Sequence, residues 1–190
     1  IAQCLVGSEM CIRDSHYLKE YAKISQEKNL PGGIPMKYSL QFSDAIHILA
    51  YIEIFQETNL LSSEMIAKSI ETSAANVRKI MSKLKKSGLI ITQNGKATPS
   101  LARKPEKITL LDVYQSIEGN TNLIQVDPKT NPNCVVGANI QEALTESYSR
   151  LQEKVEREME QMTLAELIHK IAVLENEHRP ENQEFIEKFL

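Results

Sequence analysis

The chain has 190 residues, 42% of them hydrophobic and 25% charged, with a formal net charge of −3; this is the composition of an ordinary globular protein and excludes a disordered or fibrous chain. No apolar run approaches the roughly 20 residues that a transmembrane helix needs. Three cysteines, Cys4, Cys11 and Cys134, give neither a disulfide framework nor a paired metal-ligand spacing, so a reducing cytoplasm is the expected compartment.

From the start of the chain, Cys4 to Ser15 reads CLVGSEMCIRDS, which resembles a translated sequencing adaptor rather than protein design. The codons of Pro31-Gly32-Gly33 could spell a ribosome-binding site ahead of Met36, so Met36 is taken as the expected start and residues 1–35 as a leader outside the fold. The competing expectation is a genuine helix over Tyr17–Lys28. Ser39 to Gln56 is a predicted helix apolar over a wide arc: Phe42, Ala45, Ile46, Leu49, Ile52 and Phe55 on one face, broadened by Ile48, Tyr51 and Ile54. Such a helix is buried on two sides, the second against another subunit or the long C-terminal helix. His47, near Asp44 and Tyr51, is read as a packed, hydrogen-bonded core residue rather than a metal or acid–base group.

Ser62 or Ser63 caps a short helix over Glu64–Ile70, and Glu71-Thr72-Ser73 links it tightly to a second, which makes a helix-turn-helix. In the second helix Val77, Ile80, Met81 and Leu84 recur at the spacing of one buried face, Ser73 caps the start and Gly88 suits a left-handed stop. The opposite face is assigned Asn76, Arg78, Lys79, Ser82, Lys83, Lys85 and Lys86. Leu89–Thr92, the turn residues Gln93-Asn94-Gly95-Lys96 and a return strand over Ser100–Arg103 add a hairpin, and a helix-turn-helix followed by a hairpin is a winged helix. From Lys68 to Lys107 ten bases face two acids, a net of +8 on a chain that is acidic overall: a local footprint for phosphate. The bland alternative is a merely solvated helix face.

Thr109 with Asp112 forms a capping-box pattern for a helix ended by Gly119, and 120–133, with Pro128 and Pro132, is a linker. From Asn133 a long helix is expected, with Ile140, Leu144, Tyr148, Leu151, Val155, Met159 and Met162 as a coiled-coil-like dimer seam and acids on its other faces. Thr163 with Glu166 starts a last helix to Ala172 or Leu174, and 175–190 is expected to be a charged, loosely ordered tail in which Phe185, Ile186 and Phe189 can pack weakly. The fold class is therefore mainly α with a small β-hairpin: a winged helix-turn-helix domain over 36–119, and 134–174 as dimerisation helix plus final helix.

The segments MKYSLQFSDAIHILAYI, SSEMIAKSIETSAANVRKIMSKLKKSGLI, SLARKPEKITLLDVYQSIEG and the closing TLAEL together resemble the Rrf-two family of bacterial transcription regulators, and NPNCVVGANIQEAL resembles its YwnA-like, cluster-less subgroup. The resemblance implies a homodimer that places Ser73–Lys86 in the DNA major groove and Gln93–Thr98 at the minor groove. Cluster-binding members carry three cysteines before the long helix; here Cys134 stands alone, and one thiolate cannot hold an iron–sulfur cluster, so no cofactor is expected. The wing, with Gly95 alone, is also less glycine-rich than is usual for the family.

The resulting expectation is a homodimeric, sequence-specific DNA-binding repressor without a membrane partner, its effector unspecified. Ser62, Ser63 and Ser73 would hold phosphates through hydroxyls and helix N-termini, Asn76 and Arg78 would read base edges, and Lys79, Lys83, Lys86 and Lys96 would contact phosphate. Lys37, Tyr38, Ala75, Gln93 and Asn94 complete the candidate DNA-contacting set. With Asn133 as N-cap, Cys134 would sit in the first helical turn, where the dipole lowers a thiol pKa; it is either a redox sensor or a small apolar plug. No phosphate loop, nucleophile–base arrangement or carboxylate pair points to an enzyme. The remaining rival is a non-DNA scaffold that uses the winged helix and the arm for protein contacts.

Overall fold

A computed structural model describes residues 40–56, 58, 60–92, 98–119 and 121–190. The leader, the alternative helix at 17–28, Lys37, Tyr38 and the wing tip at 93–97 lie outside the described residues. Helix α1 (Leu40–Ile54) is the centre of the fold, because Ala45, Ile48, Leu49, Ala50, Tyr51 and Ile52 are buried on more than one side of it. That follows from its wide apolar arc. Packed around it are α2 (Ser63–Ile70), α3 (Ala74–Lys86), α4 (Leu110–Glu118) and α6 (Leu164–His178). Within the protomer the second covering is thus α6, through Leu164, Ile168 and Ala172, rather than the long arm. His47 is hydrogen-bonded as expected, its Nε2 2.8 Å from Ser69 Oγ as a tie between α1 and α2, but it sits at the edge of the core, exposed as a residue yet desolvated enough to lower its pKa.

The helix ends obey their local sequence. Ser62 accepts the Met65 N–H and Ser73 the Asn76 N–H, so each serine relieves an orphan amide of its helix. Between α2 and α3 the turn is made by Glu71 at φ 59°, with the Thr72 N–H reaching back to Ala67 O. After α3, Gly88 at φ 71° takes the left-handed position and the Leu89 N–H closes on Leu84 O, as a helix stop requires. Strands β1 (Ile90–Thr92) and β2 (Pro99–Leu101) pair antiparallel, Ile90 opposite Leu101.

The capping boxes at Thr109/Asp112 and Thr163/Glu166 are both formed. They sit side by side, since the Leu110 N–H donates to Met162 O at 2.9 Å and the Leu164 N–H to Ile108 O at 2.8 Å. Helix α5 (Ile140–Gln161), which ends at this junction, starts later than the expected 134 and has no fully buried side chain. Residues 134–139 form turns instead, where two β-branched valines followed by Gly137 disfavour helix.

The tail departs most from expectation. Helix α6 runs on to His178, and after it α7 (Gln183–Ile186) folds back on the core. Ile186 is buried, the Phe185 ring lies 5.5 Å from that of Phe55, and the His169 ring reaches Phe189 O. Three apolar side chains in a short segment suffice once α1 and α6 leave a surface for them.

Candidate nucleic-acid interface

The exposed face of α3 is built by its own periodicity. At about 100° per residue, Val77, Ile80 and Leu84 form a stripe that is fully buried against α1, while Ala75, Arg78, Lys79, Ser82, Lys85 and Lys86 occupy the far arc and are exposed. The β-hairpin stands next to the end of this helix, and Lys85 Nζ donates to Thr92 Oγ1 at 2.5 Å. Lys68, Arg103, Lys104 and Lys107 are exposed as well, so the positive charge of this segment reaches solvent over two helices and the hairpin's exit.

Two of these cations have neighbours of opposite sign. Arg78 Nη1 lies 3.1 Å from Glu64 Oε1, and both side chains are well exposed, 59% and 64%. The Glu64 carboxyl is held below the usual carboxylate range by its own backbone N–H and then by Arg78. An exposed pair of this kind is weak and exchanges readily for a better anion. Arg103 reaches Asp112 at 3.3 Å, the same carboxylate that caps α4.

The structure redistributes the sequence-predicted set. Ser62 and Ser73 act as acceptors for the first-turn amides of their helices, Ser62 also hydrogen-bonds the Glu64 carboxylate, and Ser63 opens the first turn of α2. Ala75, Arg78, Lys79 and Lys86 face outward. Asn76 and Lys83 do not. The Asn76 amide donates to Thr72 Oγ1 at 3.2 Å and Asp44 Oδ2 at 3.5 Å, and Lys83 Nζ donates to Gln41 Oε1 and to Ile117 O, both at 3.0 Å. The expected base-edge role of Asn76 and phosphate role of Lys83 call for outward side chains, whereas here Asn76 turns toward α1 and Lys83 toward α1 and the end of α4. The signal was available, since on the helical wheel Asn76 and Lys83 lie only about 40° and 60° from Ile80, on one flank of the buried stripe. Lys85, Lys68 and Lys104, exposed cations outside the assigned contacts, belong to this surface by position.

Cys134 is exposed, which removes the apolar-plug alternative, and it lies six residues ahead of α5, so a helix dipole does not act on it. The backbone N–H groups of Gly137 and Val136 face its sulfur and lower the thiol pKa from the ordinary 9.0. Gly137 is required there, because a Cβ would collide with the Asn131 carbonyl. Along α5, Leu151, Val155 and Met162 are exposed at 46%, 37% and 47%, and Ile140, Leu144, Tyr148 and Met159 are half-buried. The chain before it lies along the same helix, the Leu123 N–H on Gln152 Oε1 and the Gln141 amide on Asp127 O.

Residues 38–170 match the model of the Rrf-two (Rrf2) family, described as an iron-dependent transcriptional regulator. The chain belongs to the Rrf2 family. YwnA of Bacillus subtilis (strain 168), provisionally named an HTH-type transcriptional regulator, is 36% identical over 125 residues, covering 66% of this chain and 92% of YwnA. A crystal structure provisionally described as that of a DNA-binding protein is 34% identical, with a TM-score of 0.54 over 67% of this chain and 98% of its own. CymR, the global cysteine regulator of B. subtilis, shares the fold at 21% identity and a TM-score of 0.53, over 70% of this chain and 95% of CymR. As an Rrf2 protein the chain is a transcriptional regulator with a winged helix, and its relatives are regulators rather than enzymes.

Among the described residues no three His, Cys, Asp or Glu side chains converge, and the loop ahead of α5 offers one thiol. That donor set does not fit an iron–sulfur cluster, which takes four protein ligands. No helix among the described residues is long and apolar enough to cross a membrane.

Proposed function

We propose that the protein is a homodimeric, sequence-specific DNA-binding repressor, with α3 in the major groove and the hairpin at the minor groove. The observation that carries this is the outward arc of α3: Arg78, Lys79, Lys85 and Lys86 are exposed, flanked by Lys68 and by the hairpin's exit at Arg103 and Lys104. Cations in such an arc neutralise phosphates, and Arg78, held only by an exposed carboxylate, can give up Glu64 for a guanine edge. Lys37, Tyr38, Gln93, Asn94 and Lys96 remain candidate contacts from the sequence. YwnA's provisional name and the 34%-identical structure's description as a DNA-binding protein support the same reading.

The part of the α5 seam left exposed, Leu151, Val155 and Met162, supports pairing of two copies, since an apolar stripe only partly covered within the protomer favours a partner. A dimer bound at a site that polymerase also needs would act as a repressor. The single loop thiol supports regulation without an iron–sulfur cluster, with Cys134, exposed and held toward the thiolate by two backbone N–H groups, as the candidate switch.

The test is a salt titration of binding to duplex DNA. Affinity should fall with a slope of about 0.9 in log–log form per phosphate contacted. A protein-only scaffold has no such slope, and its absence ends the proposal. Anaerobically purified protein should contain no labile sulfide yet bind DNA, and the Cys134→Ser protein should bind DNA without responding to diamide.

A further inference from the structure

From the direction of two polar side chains on α3 we infer that Lys83, with Gln41 as its partner, is a positioning residue for the recognition helix rather than a contact to DNA. The inference rests on the DNA-binding reading above and deepens it. Lys83 is half-buried, and its ammonium donates at 3.0 Å to the Gln41 side chain at the start of α1 and at 3.0 Å to the carbonyl of Ile117 in the last turn of α4. That carbonyl belongs to the negative end of α4, where a cation is favoured. Two turns earlier, Asn76 ties the same flank of α3 to Asp44 of α1. The recognition helix is thereby fixed in rotation about its own axis at two heights, which apolar packing of Val77, Ile80 and Leu84 alone does not specify, since a buried stripe can roll by small amounts.

The tie at Lys83 also connects the DNA-facing helix to the arm. Helix α4 packs against α5, and the backbone at its start is hydrogen-bonded to the α5–α6 junction through Leu110 and Ile108. The angle at which α3 meets the arm is therefore set through α4. Because base readout depends on that angle and non-specific phosphate attraction does not, losing the tie should reduce discrimination and leave salt dependence alone.

The experiment uses the full chain, wild type and the variants Lys83→Met, Gln41→Leu and the double variant, each checked for wild-type helicity by circular dichroism. Two probes are compared by fluorescence anisotropy over a salt series: the duplex that wild-type protein selects from a random-sequence library, and a scrambled duplex of equal length and composition. Lys83→Met keeps the wild-type salt slope on the scrambled duplex and loses about tenfold in the selected-to-scrambled affinity ratio, the scale of a hydrogen bond from a charged donor. Gln41→Leu, which changes no charge, lowers the ratio in the same direction, and the double variant loses no more than Lys83→Met. A slope that drops by about 0.9 in Lys83→Met with the ratio retained makes Lys83 a phosphate contact and overturns the inference. So does a wild-type ratio in Gln41→Leu, which also decides the matter should Lys83→Met fail to fold. Failure of the DNA-binding reading itself shows separately, as the absence of any salt slope in the wild-type protein.

Discussion

The dimer arm gives the most quantitative prediction. Leu151 lies in the middle of α5 and keeps 46% of its surface exposed, in a helix that has no fully buried side chain within the protomer. Fully burying a leucine contributes about 1.5–3 kcal/mol, so covering the remaining half contributes roughly 0.7–1.4 kcal/mol. In a two-fold symmetric pair the same residue appears twice, which brings the effect of Leu151→Ala to about 1.4–2.8 kcal/mol, or about 10- to 100-fold in the dimer dissociation constant. Sedimentation equilibrium across a range of protein concentrations reads this directly. Circular dichroism of the variant should show unchanged helix content, because Leu151 is not part of the protomer's core. A variant that associates as tightly as wild type, or a wild-type chain that is monomeric throughout, refutes the reasoning that this stripe is an interface.

Other perturbations test the remaining structure. Glu71 holds φ 59° at the end of α2, a conformation that strains side chains other than glycine, so Glu71→Gly should stabilise the protein by about 0.5–1 kcal/mol after its own entropy cost, seen as a higher Tm; an unchanged or lower Tm contradicts it. Ile186→Ala should destabilise by about 2–5 kcal/mol in urea unfolding, since Ile186 is buried, whereas a loosely attached tail would give a change near zero. In a chain with Cys4 and Cys11 replaced by serine, alkylation of Cys134 by iodoacetamide should reach half its maximal rate below pH 9.0, because the Gly137 and Val136 amides favour the thiolate; a midpoint at or above 9.0 shows that these amides do not act on it.

Much of the fold was legible because it is local. Serine caps, the glycine stop after α3, both capping boxes and the apolar stripes each depend on residues within a few positions of one another, and all appear where the chain places them. The start of α5 was less legible: Asn133 looks like a cap, yet the β-branched pair and Gly137 delay the helix to Ile140. The order of the tail was not legible for a different reason. Phe185, Ile186 and Phe189 are too few to form a core alone, and only the groove that α1 and α6 leave beside Phe55 gives them one.

By itself the sequence determined the order of the helices, the winged helix-turn-helix, the excess of positive charge on one segment and the family. Those are properties of spacing, composition and motif, which a linear chain already contains. Tertiary structure alone decided which partners Asn76 and Lys83 reach from the flank of the buried stripe, that Cys134 is exposed, and that the tail is folded. Each of these depends on which oxygen or apolar surface a distant element brings within reach, and a polar side chain at the edge of a buried stripe goes wherever that partner stands.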